Sequence, residues 1–414
     1  MIAAVLSFIL FTSLVVFCQA KDSAASTKLW ASTCEPYLSA LKPKLQIGLL
    51  DILPNERFVG FFSSTASGGT ILLLDVDKHT WKMSLNHAIS LKRAGSEMVV
   101  HVLAYEPNIC GNFAKYEVPC FYDADWLVAM DKAYIRWTGR EILDLKMLSV
   151  VMMGRMVASL FAMCEGYNVF LSDADVVFYR NPLDYVFENV DMMVTSTLIG
   201  PSRDWGAPFF VDRPKKFYTL NNGVIYYRNN PKTQAFMVSL TGDSIAHLMK
   251  GPDRQLAFLQ TTFNQYMQKH NLYLYPTRKE SDKSTFKLNK KLSNKAGECY
   301  DCYHGEIVAS KITTGIFTAK KEMMRVGVFP MERYVSLCSA KNITDTNLAL
   351  AASARAMRLN ETNQWGWGEL PGGHSRLLAV HANCINNIDN DSGYTAARFE
   401  KKENWFRLIN SWFL

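Results

Sequence analysis

Between Thr70 and Glu106 the sequence alternates between strand-like and helix-like segments, as in a parallel β-sheet with helical crossovers. The apolar run Thr70–Asp75 is typical of a buried strand, and the segment after it carries apolar residues near helical spacing up to Gly95. Met98–Glu106 has the composition of a second strand. A strand, a helix and a strand within about 35 residues form the βαβ unit of a parallel sheet.

The same alternation continues along the chain. Leu145–Gly166 is a long apolar helix candidate, and Tyr167–Leu171 follows it as a short buried strand. Gly223–Tyr227 and Leu377–His381 also have strand composition, with helical material around Asp253–Gln268 between them. This succession predicts an α/β fold with a doubly wound, mostly parallel sheet flanked by helices, in which ligands bind beyond the carboxyl ends of the strands.

Two carboxylates follow one of these predicted strands directly. At the end of an extended strand, Asp173 and Asp175 would project to the same side, roughly 6 to 7 Å apart at Cα. Carboxylates that close repel each other, and a hard divalent cation such as Mn²⁺ or Mg²⁺ removes the conflict. The alternative is an Asx-type turn that caps the strand without any metal.

The N-terminal segment indicates export. Residues 2–17 carry no charge and are mostly apolar, and the first charged residue is Lys21. We predict a cleaved signal peptide over 1–20, a stem over 21–58 and one large domain over 59–414. The alternative for 1–20 is an uncleaved signal anchor, which normally carries basic flanking residues. In both cases the protein would face the lumen of the Golgi or the ER, or be secreted, and only the anchor would contact a membrane.

The cysteines agree with a lumenal location. Eight remain after removal of the signal segment, and an even number in an exported chain favours disulfides of undetermined pairing. They are Cys34, Cys110, Cys120, Cys164, Cys299, Cys302, Cys338 and Cys384. Three N-glycosylation sequons, at Asn342, Asn360 and Asn390, are consistent with the same compartment.

The net charge of +7 is spread along the chain. Lys and Arg are densest in Thr277–Lys295, where acidic and polar residues interrupt them, as in a solvated loop. No nucleic-acid partner is therefore expected.

Three sequence blocks occur in an order that resembles a known family. They are Glu165–Pro182 (EGYNVFLSDADVVFYRNP), Leu220–Arg228 (LNNGVIYYR) and Val380–Cys384 (VHANC). They resemble blocks of the nucleotide-diphospho-sugar transferase domain of plant and algal cell-wall glycosyltransferases, such as rhamnogalacturonan xylosyltransferases and related arabinosyl- and galactosyltransferases. The resemblance runs from about Thr70 to Trp405.

This resemblance implies a GT-A-type, Rossmann-like nucleotide-sugar fold over 59–414 and a donor that is UDP-linked. It implies that Asp173 and Asp175 hold Mn²⁺ or Mg²⁺, that Asp173 also touches the ribose, and that His381 is a further ligand. It places Asn221 and Gly223 near the donor sugar and the acceptor. The implied reaction is transfer, with retention of configuration, to a glycan or glycoprotein.

Other positions leave alternatives open. Arg155 lies where the family often has a basic residue, and it would meet either the donor diphosphate or an internal carboxylate. Asp253 and Gln255 are candidates for the donor-sugar face, although Arg254 stands between them where a second acidic residue is expected.

A second departure follows the late histidine. The family's Gly and Lys are missing there, and Arg398, Lys401 and Lys402 come later in the chain as possible cations for the leaving diphosphate. An inactive relative that binds nucleotide sugars or glycans therefore stays an alternative. A glycosidase is disfavoured, because its two carboxyls would flank the scissile bond from different elements.

Overall fold

The computed structural model describes residues 60–62, 69–139, 146–186, 188, 190–197, 219–249, 308–313, 321–329, 334–336, 378–382, 396–408 and 412–414. The predicted signal segment, the stem and the helical region Asp253–Gln268 lie outside these residues.

The described strands form two sheets, of eight and of three strands. The strands are β1 Thr70–Val76, β2 Val99–Ala104, β3 Cys120–Phe121, β4 Asn168–Ser172, β5 Val176–Phe178, β6 Met192–Thr197, β7 Thr219–Tyr227, β8 Val308–Thr313, β9 Lys321–Val328, β10 Tyr334–Ser336 and β11 Ala379–His381. The large sheet has the order β3-β2-β1-β4-β7-β6-β9-β8, and the small one has the order β10-β11-β5.

Six helices lie in the described parts of the chain. They are α1 Trp81–Arg93, α2 Cys110–Ala114, α3 Ala124–Thr138, α4 Lys146–Cys164, α5 Pro231–Met249 and α6 Ala396–Leu408. The predicted β1-α1-β2 unit and the long helix α4 are confirmed, whereas α2, α3, α5 and α6 were not predicted. Among these helices, none combines the length and the apolar character that crossing a bilayer needs.

The large sheet is parallel through its first four strands. β1 pairs in parallel with both β2 and β4, and β2 pairs in parallel with β3. β7 then runs antiparallel to β4 and β6, while β6 and β9 are parallel. The predicted doubly wound, mostly parallel α/β sheet is confirmed, with antiparallel β7 and β8 as the exceptions.

The core lies on both faces of this sheet. Successive side chains of a strand point to opposite faces, so the apolar run of β1 supplies both layers. Ile71 and Leu73 pack in a cluster with residues of α3, α4 and α5. Leu72 and Leu74 pack in a second cluster with residues of α1. The unbroken apolar character of β1 follows from this burial on both sides.

The link between α4 and β4 is short. Gly166 takes a φ of 96° there, a backbone conformation that favours glycine, and its N–H reaches the carbonyl of Met163. The chain therefore reverses at once, and α4 lies against β1 and β4.

The small sheet brings a late part of the chain to the end of β4. β5 begins three residues after the end of β4 and pairs antiparallel with β11, with Val176 opposite His381. The short segment between β4 and β5 contains both acidic residues of the predicted metal site.

One disulfide joins α2 to β3. Cys110 and Cys120 are bonded, which confirms the expectation for these two cysteines. Cys164 is also disulfide-bonded, and its partner lies outside the described residues.

Candidate active site

The turn that carries the acidic pair is held by two other strands. Asp173 donates its N–H to the carbonyl of Gly223 in β7 at 2.7 Å. Ala382, directly after β11, donates its N–H to the carbonyl of Asp175 at 2.9 Å. The N–H of Val176 closes the turn on the carbonyl of Asp173 at 3.3 Å. The pair thus lies in a tight turn after β4 rather than on the extended strand itself.

Both carboxylates of this turn meet the imidazole of His381. The Nε2 atom of His381 lies 3.4 Å from Asp173 Oδ2 and 3.2 Å from Asp175 Oδ1. One ligand atom from each of the three residues falls within 4.8 Å of the others. The His381 side chain is 1% exposed, whereas that of Asp173 is 33% exposed. The cluster is therefore open to solvent on the Asp173 side.

A lysine from the C-terminal helix reaches the same carboxylate. Lys402 Nζ, on α6, lies 2.5 Å from Asp175 Oδ2, and its side chain is buried. Of the three late cations that the sequence left open, Lys402 is the one that the structure places at the cluster. Arg398 lies in α6 with its side chain outside the described residues, and Lys401 is exposed.

Arg155 contacts internal carboxylates on the other side of the cluster. Its Nη1 atom donates a hydrogen bond to Asp173 Oδ1 at 2.8 Å, and its Nε atom lies 3.6 Å from Asp75 Oδ2. The structure thus shows contacts of Arg155 with internal carboxylates, and its contact with a donor diphosphate stays a prediction. Asp75, near the end of β1, was not predicted as part of the site.

The positive charges around Asp173 and Asp175 lower the pKa values of both carboxyls more than burial raises them. Burial by itself would raise the pKa of Asp175, but the Lys402 ammonium and His381 lower that pKa well below its usual range. The pKa of Asp173 is also lowered against burial, by a hydrogen bond from His381 and by the charge of Arg155. The pKa of His381 rises to about 9, because the carboxylates, Asp175 foremost, outweigh the opposite effect of burial. At neutral pH the cluster therefore holds two carboxylates and an imidazolium.

The chemistry of this donor set fits a divalent cation. Two carboxylates and one imidazole converge with an open side, which is the composition of a site that leaves positions free for a ligand. A metal entering here would have to displace the proton of His381 and the ammonium of Lys402 from the carboxylates.

The other predicted residues are placed only in part. Gly223 touches the site through its backbone, by accepting the hydrogen bond from Asp173. Asn221 lies in β7 opposite Thr195, next to a register shift between β6 and β7. The side chain of Asn221 and all of Asp253 and Gln255 lie outside the described residues, so their predicted roles stay predictions.

The sequence did not predict Asp75 as part of the site, and it named Lys402 only as one of three candidate cations. Asp75 is a carboxylate inside an otherwise apolar strand, and this break in the apolar pattern could have marked it as a candidate site residue. Lys402 offered no such signal, since it lies in a charged helix and 227 positions away from its partner.

The sequence also matches a known domain family. Residues 114–272 match the family model described as nucleotide-diphospho-sugar transferase. This range contains Arg155, Asp173 and Asp175, whereas His381 and Lys402 lie beyond it. A search among curated proteins gives no match.

Several solved structures have a similar chain course. The galactosyltransferase LgtC, in complex with donor and acceptor sugar analogues, shares 10% identity, with 82% of this chain and 95% of that chain covered and a TM-score of 0.32. Mouse xyloside xylosyltransferase 1, in its apo form, shares 12%, with 76% and 98% covered and a TM-score of 0.37. The apo-form glycosyltransferase GlyE of Streptococcus pneumoniae TIGR4 shares 11%, with 84% and 63% covered and a TM-score of 0.33.

The identities of 10–12% and the TM-scores of 0.32–0.37 are too low for the substrates of these proteins to be transferred to this chain. The family match is the more specific finding, and it covers the acidic turn and the helix that carries Arg155. Residues 114–272, the central part of the chain, therefore resemble a nucleotide-diphospho-sugar transferase domain.

Proposed function

We propose that the protein transfers a sugar from a UDP-linked donor to a glycan or glycoprotein, in a Mn²⁺-dependent reaction of the GT-A type. The observation that carries this proposal is the convergence of Asp173, Asp175 and His381 within 4.8 Å at the carboxyl end of β4. That edge of a doubly wound sheet is where such folds bind nucleotides. The family match supplies the substrate class, a nucleotide-diphosphate sugar.

The metal would be held by these three side chains. Two carboxylates with an imidazole suit Mn²⁺ better than Mg²⁺, which prefers oxygen ligands throughout. When bound, Mn²⁺ would act as a Lewis acid on the departing nucleotide diphosphate. Asp173 is the most exposed of the three and faces the side from which a donor would enter.

Lys402 and Arg155 provide the fixed positive charges of the site. The Lys402 ammonium lies at Asp175, so it can turn from that carboxylate to a diphosphate bound beside it. Arg155 is engaged by Asp75 and Asp173, and its role is to hold the Asp173 carboxylate. Lys402 therefore replaces the lysine that the family pattern places soon after the late histidine.

The sugar-facing side of the proposed site would be formed by Asn221, Asp253 and Gln255. We propose retention of configuration, with the acceptor attacking on the face from which the diphosphate leaves. Such a reaction requires no protein nucleophile, and none is assigned. The proposed location is the lumen of the secretory pathway, which the Cys110–Cys120 disulfide supports.

The test is a donor screen on the mature chain, expressed through a secretory pathway from Lys21 onward. UDP- and GDP-sugars are compared for Mn²⁺-dependent binding by calorimetry and for slow donor hydrolysis. The Asp175→Ala variant should lose both, and Glu97→Gln, which changes an exposed carboxylate between α1 and β2, should lose neither. If no nucleotide sugar binds with or without metal, the proposal is wrong.

The second candidate is a relative without turnover, and Arg254 between Asp253 and Gln255 is the observation that favours it. This candidate predicts donor binding that depends on Mn²⁺ but no transfer to any acceptor and no donor hydrolysis. The donor screen distinguishes the two directly. Replacement of Arg254 by Asp would then test whether a restored acidic residue restores hydrolysis.

Metal binding is expected to release a proton. Because the pKa of His381 is about 9, its ring carries a proton at pH 7 that the metal must displace. The affinity for Mn²⁺ should therefore rise by about tenfold for each pH unit up to about 9. Calorimetry in two buffers of different ionisation enthalpy counts the protons that are released. The His381→Gln variant should show no such release, and a flat pH dependence in the unsubstituted protein would contradict the prediction.

A further inference from the structure

A chain of polar side-chain contacts, two hydrogen bonds and one ion pair, leads from the interior of the sheet to the acidic pair. The Tyr105 hydroxyl donates to Asp75 Oδ1 at 3.2 Å, and Asp75 Oδ2 lies 3.6 Å from Arg155 Nε. Arg155 Nη1 then donates to Asp173 Oδ1 at 2.8 Å. We propose that Tyr105 and Asp75 are positioning residues that set the metal affinity of the site through Arg155. This inference rests on the proposed function, since it requires that Asp173 binds a metal.

The two carboxylate oxygens of Asp173 have different partners, so the position of Arg155 determines how the carboxylate is oriented. Oδ1 accepts the hydrogen bond from Arg155, while Oδ2 faces His381 Nε2. The guanidinium therefore fixes the rotation of the carboxylate and leaves Oδ2 directed to the cluster. A partner that orients a metal ligand in this way typically contributes about 10–100-fold to metal affinity.

Arg155 itself depends on Asp75. Its side chain is buried, and among the described residues neither Nε nor Nη2 has a hydrogen-bond partner, so Asp75 contacts the guanidinium as an ion pair. A buried guanidinium is costly unless carboxylates surround it, and Asp75 is the second carboxylate that holds it. Without Asp75, the one hydrogen bond to Asp173 would remain, and the guanidinium could rotate about it.

The Tyr105 hydroxyl keeps Asp75 in the form that Arg155 requires. Burial raises the pKa of Asp75 to about 7, although Arg155 and the hydrogen bond from Tyr105 act in the opposite direction. The charge of Asp173, across the guanidinium, raises it further. Loss of the hydroxyl would therefore favour the neutral acid and weaken its pairing with the guanidinium.

Gly154 on α4 makes room for this hydroxyl. A Cβ atom at position 154 would lie 2.3 Å from the Tyr105 hydroxyl oxygen and 3.1 Å from the Trp126 ring. Any larger residue would push the hydroxyl away from Asp75. Gly154 and Arg155 are neighbours in the chain, so one turn of α4 supplies both the guanidinium and the space for the tyrosine that supports it.

The experiment compares Mn²⁺ affinity, measured by electron paramagnetic resonance of free Mn²⁺, in the mature chain and in Tyr105→Phe. We expect the affinity of the variant to fall about tenfold, with the thermal unfolding temperature little changed. Tyr226→Phe is the matched control, because Tyr226 is equally buried at 4% exposure and its hydroxyl bonds to Thr70 instead. The affinity of this control should equal that of the unsubstituted protein.

Two further variants separate positioning from general packing. Gly154→Ala should lower the Mn²⁺ affinity to a similar extent, since it displaces the same hydroxyl. In an Arg155→Lys background, Tyr105→Phe should cause no further loss, because the guanidinium fork through which it acts is gone. Equal affinities of the unsubstituted protein and Tyr105→Phe would overturn this inference and leave the proposed function intact. Absence of Mn²⁺ binding by the unsubstituted protein would overturn both.

Discussion

The Asp175→Asn variant is expected to bind Mn²⁺ more than about 100-fold more weakly than the unsubstituted protein, because even outer partners of metal ligands contribute about 10–100-fold. Asp175 faces His381 with one oxygen and Lys402 with the other, and its loss leaves Asp173 as the one carboxylate of the proposed ligand set. Sugar transfer should fall at least in proportion at limiting metal. Calorimetric titration with Mn²⁺ and a donor-hydrolysis assay measure the two effects.

The same substitution should also destabilise the metal-free protein. Asn leaves the ammonium of Lys402 buried without its counter-ion, and breaking a buried ion pair from one side costs about 3–5 kcal/mol. Because the folded-state pKa of Asp175 is lowered, its stabilising effect is present at neutral pH and is lost as the pH falls towards that pKa. Urea unfolding at pH 7 compares the variant with Glu97→Gln. Unchanged stability together with unchanged metal affinity would contradict the structure of this cluster.

The Lys402→Met variant should change metal binding and sugar transfer in opposite directions. Methionine is close in length to lysine and removes the cation that is paired with Asp175 and would compete with a metal for it. Affinity for Mn²⁺ alone should therefore rise several-fold, on the order of the change expected when a competing charge is removed. Transfer from a nucleotide-sugar donor should fall on the order of 100-fold, since a fixed charge at the leaving group is lost.

The control for this substitution is the neighbouring Lys401→Met, because Lys401 is exposed on the same turn of α6. It should leave both Mn²⁺ affinity and transfer unchanged. Opposite changes in the two readouts identify Lys402 as a cation shared between carboxylate and diphosphate. If Lys402→Met instead weakened the binding of Mn²⁺ alone, Lys402 would be a support of the metal site and not its competitor.

Periodicity predicted the parts of the fold that are local in sequence. The apolar run of β1, the helical spacing after it and the strand β2 lie within one short segment, and each is buried as its pattern requires. The position of Asp173 and Asp175 at a carboxyl end followed from the same reasoning. Their turn geometry did not, because it depends on the carbonyl of Gly223, which accepts the N–H of Asp173, and on the N–H of Ala382, and both residues are distant in the chain.

The sequence could not single out Asp75, Tyr105 or Lys402, because their contacts depend on sheet register or on the packing of α6. Asp75 is opposite Leu103 in the parallel pairing of β1 and β2, and the N–H of Tyr105 bonds to the carbonyl of Val76. That register is what brings the Tyr105 hydroxyl to Asp75. Lys402 lies on a helix rich in charged residues, in which no single lysine is marked as buried until α6 is packed.

The pairing of β5 with β11 has a consequence for biosynthesis. The acidic turn is translated long before His381 and Lys402. His381 reaches it only when β11 pairs with β5, and Lys402 only when α6 packs against the turn. Until then the two carboxylates face each other without the imidazole and the ammonium. The nascent chain therefore cannot assemble this cluster during most of its synthesis, and the cluster is complete only when α6 has packed.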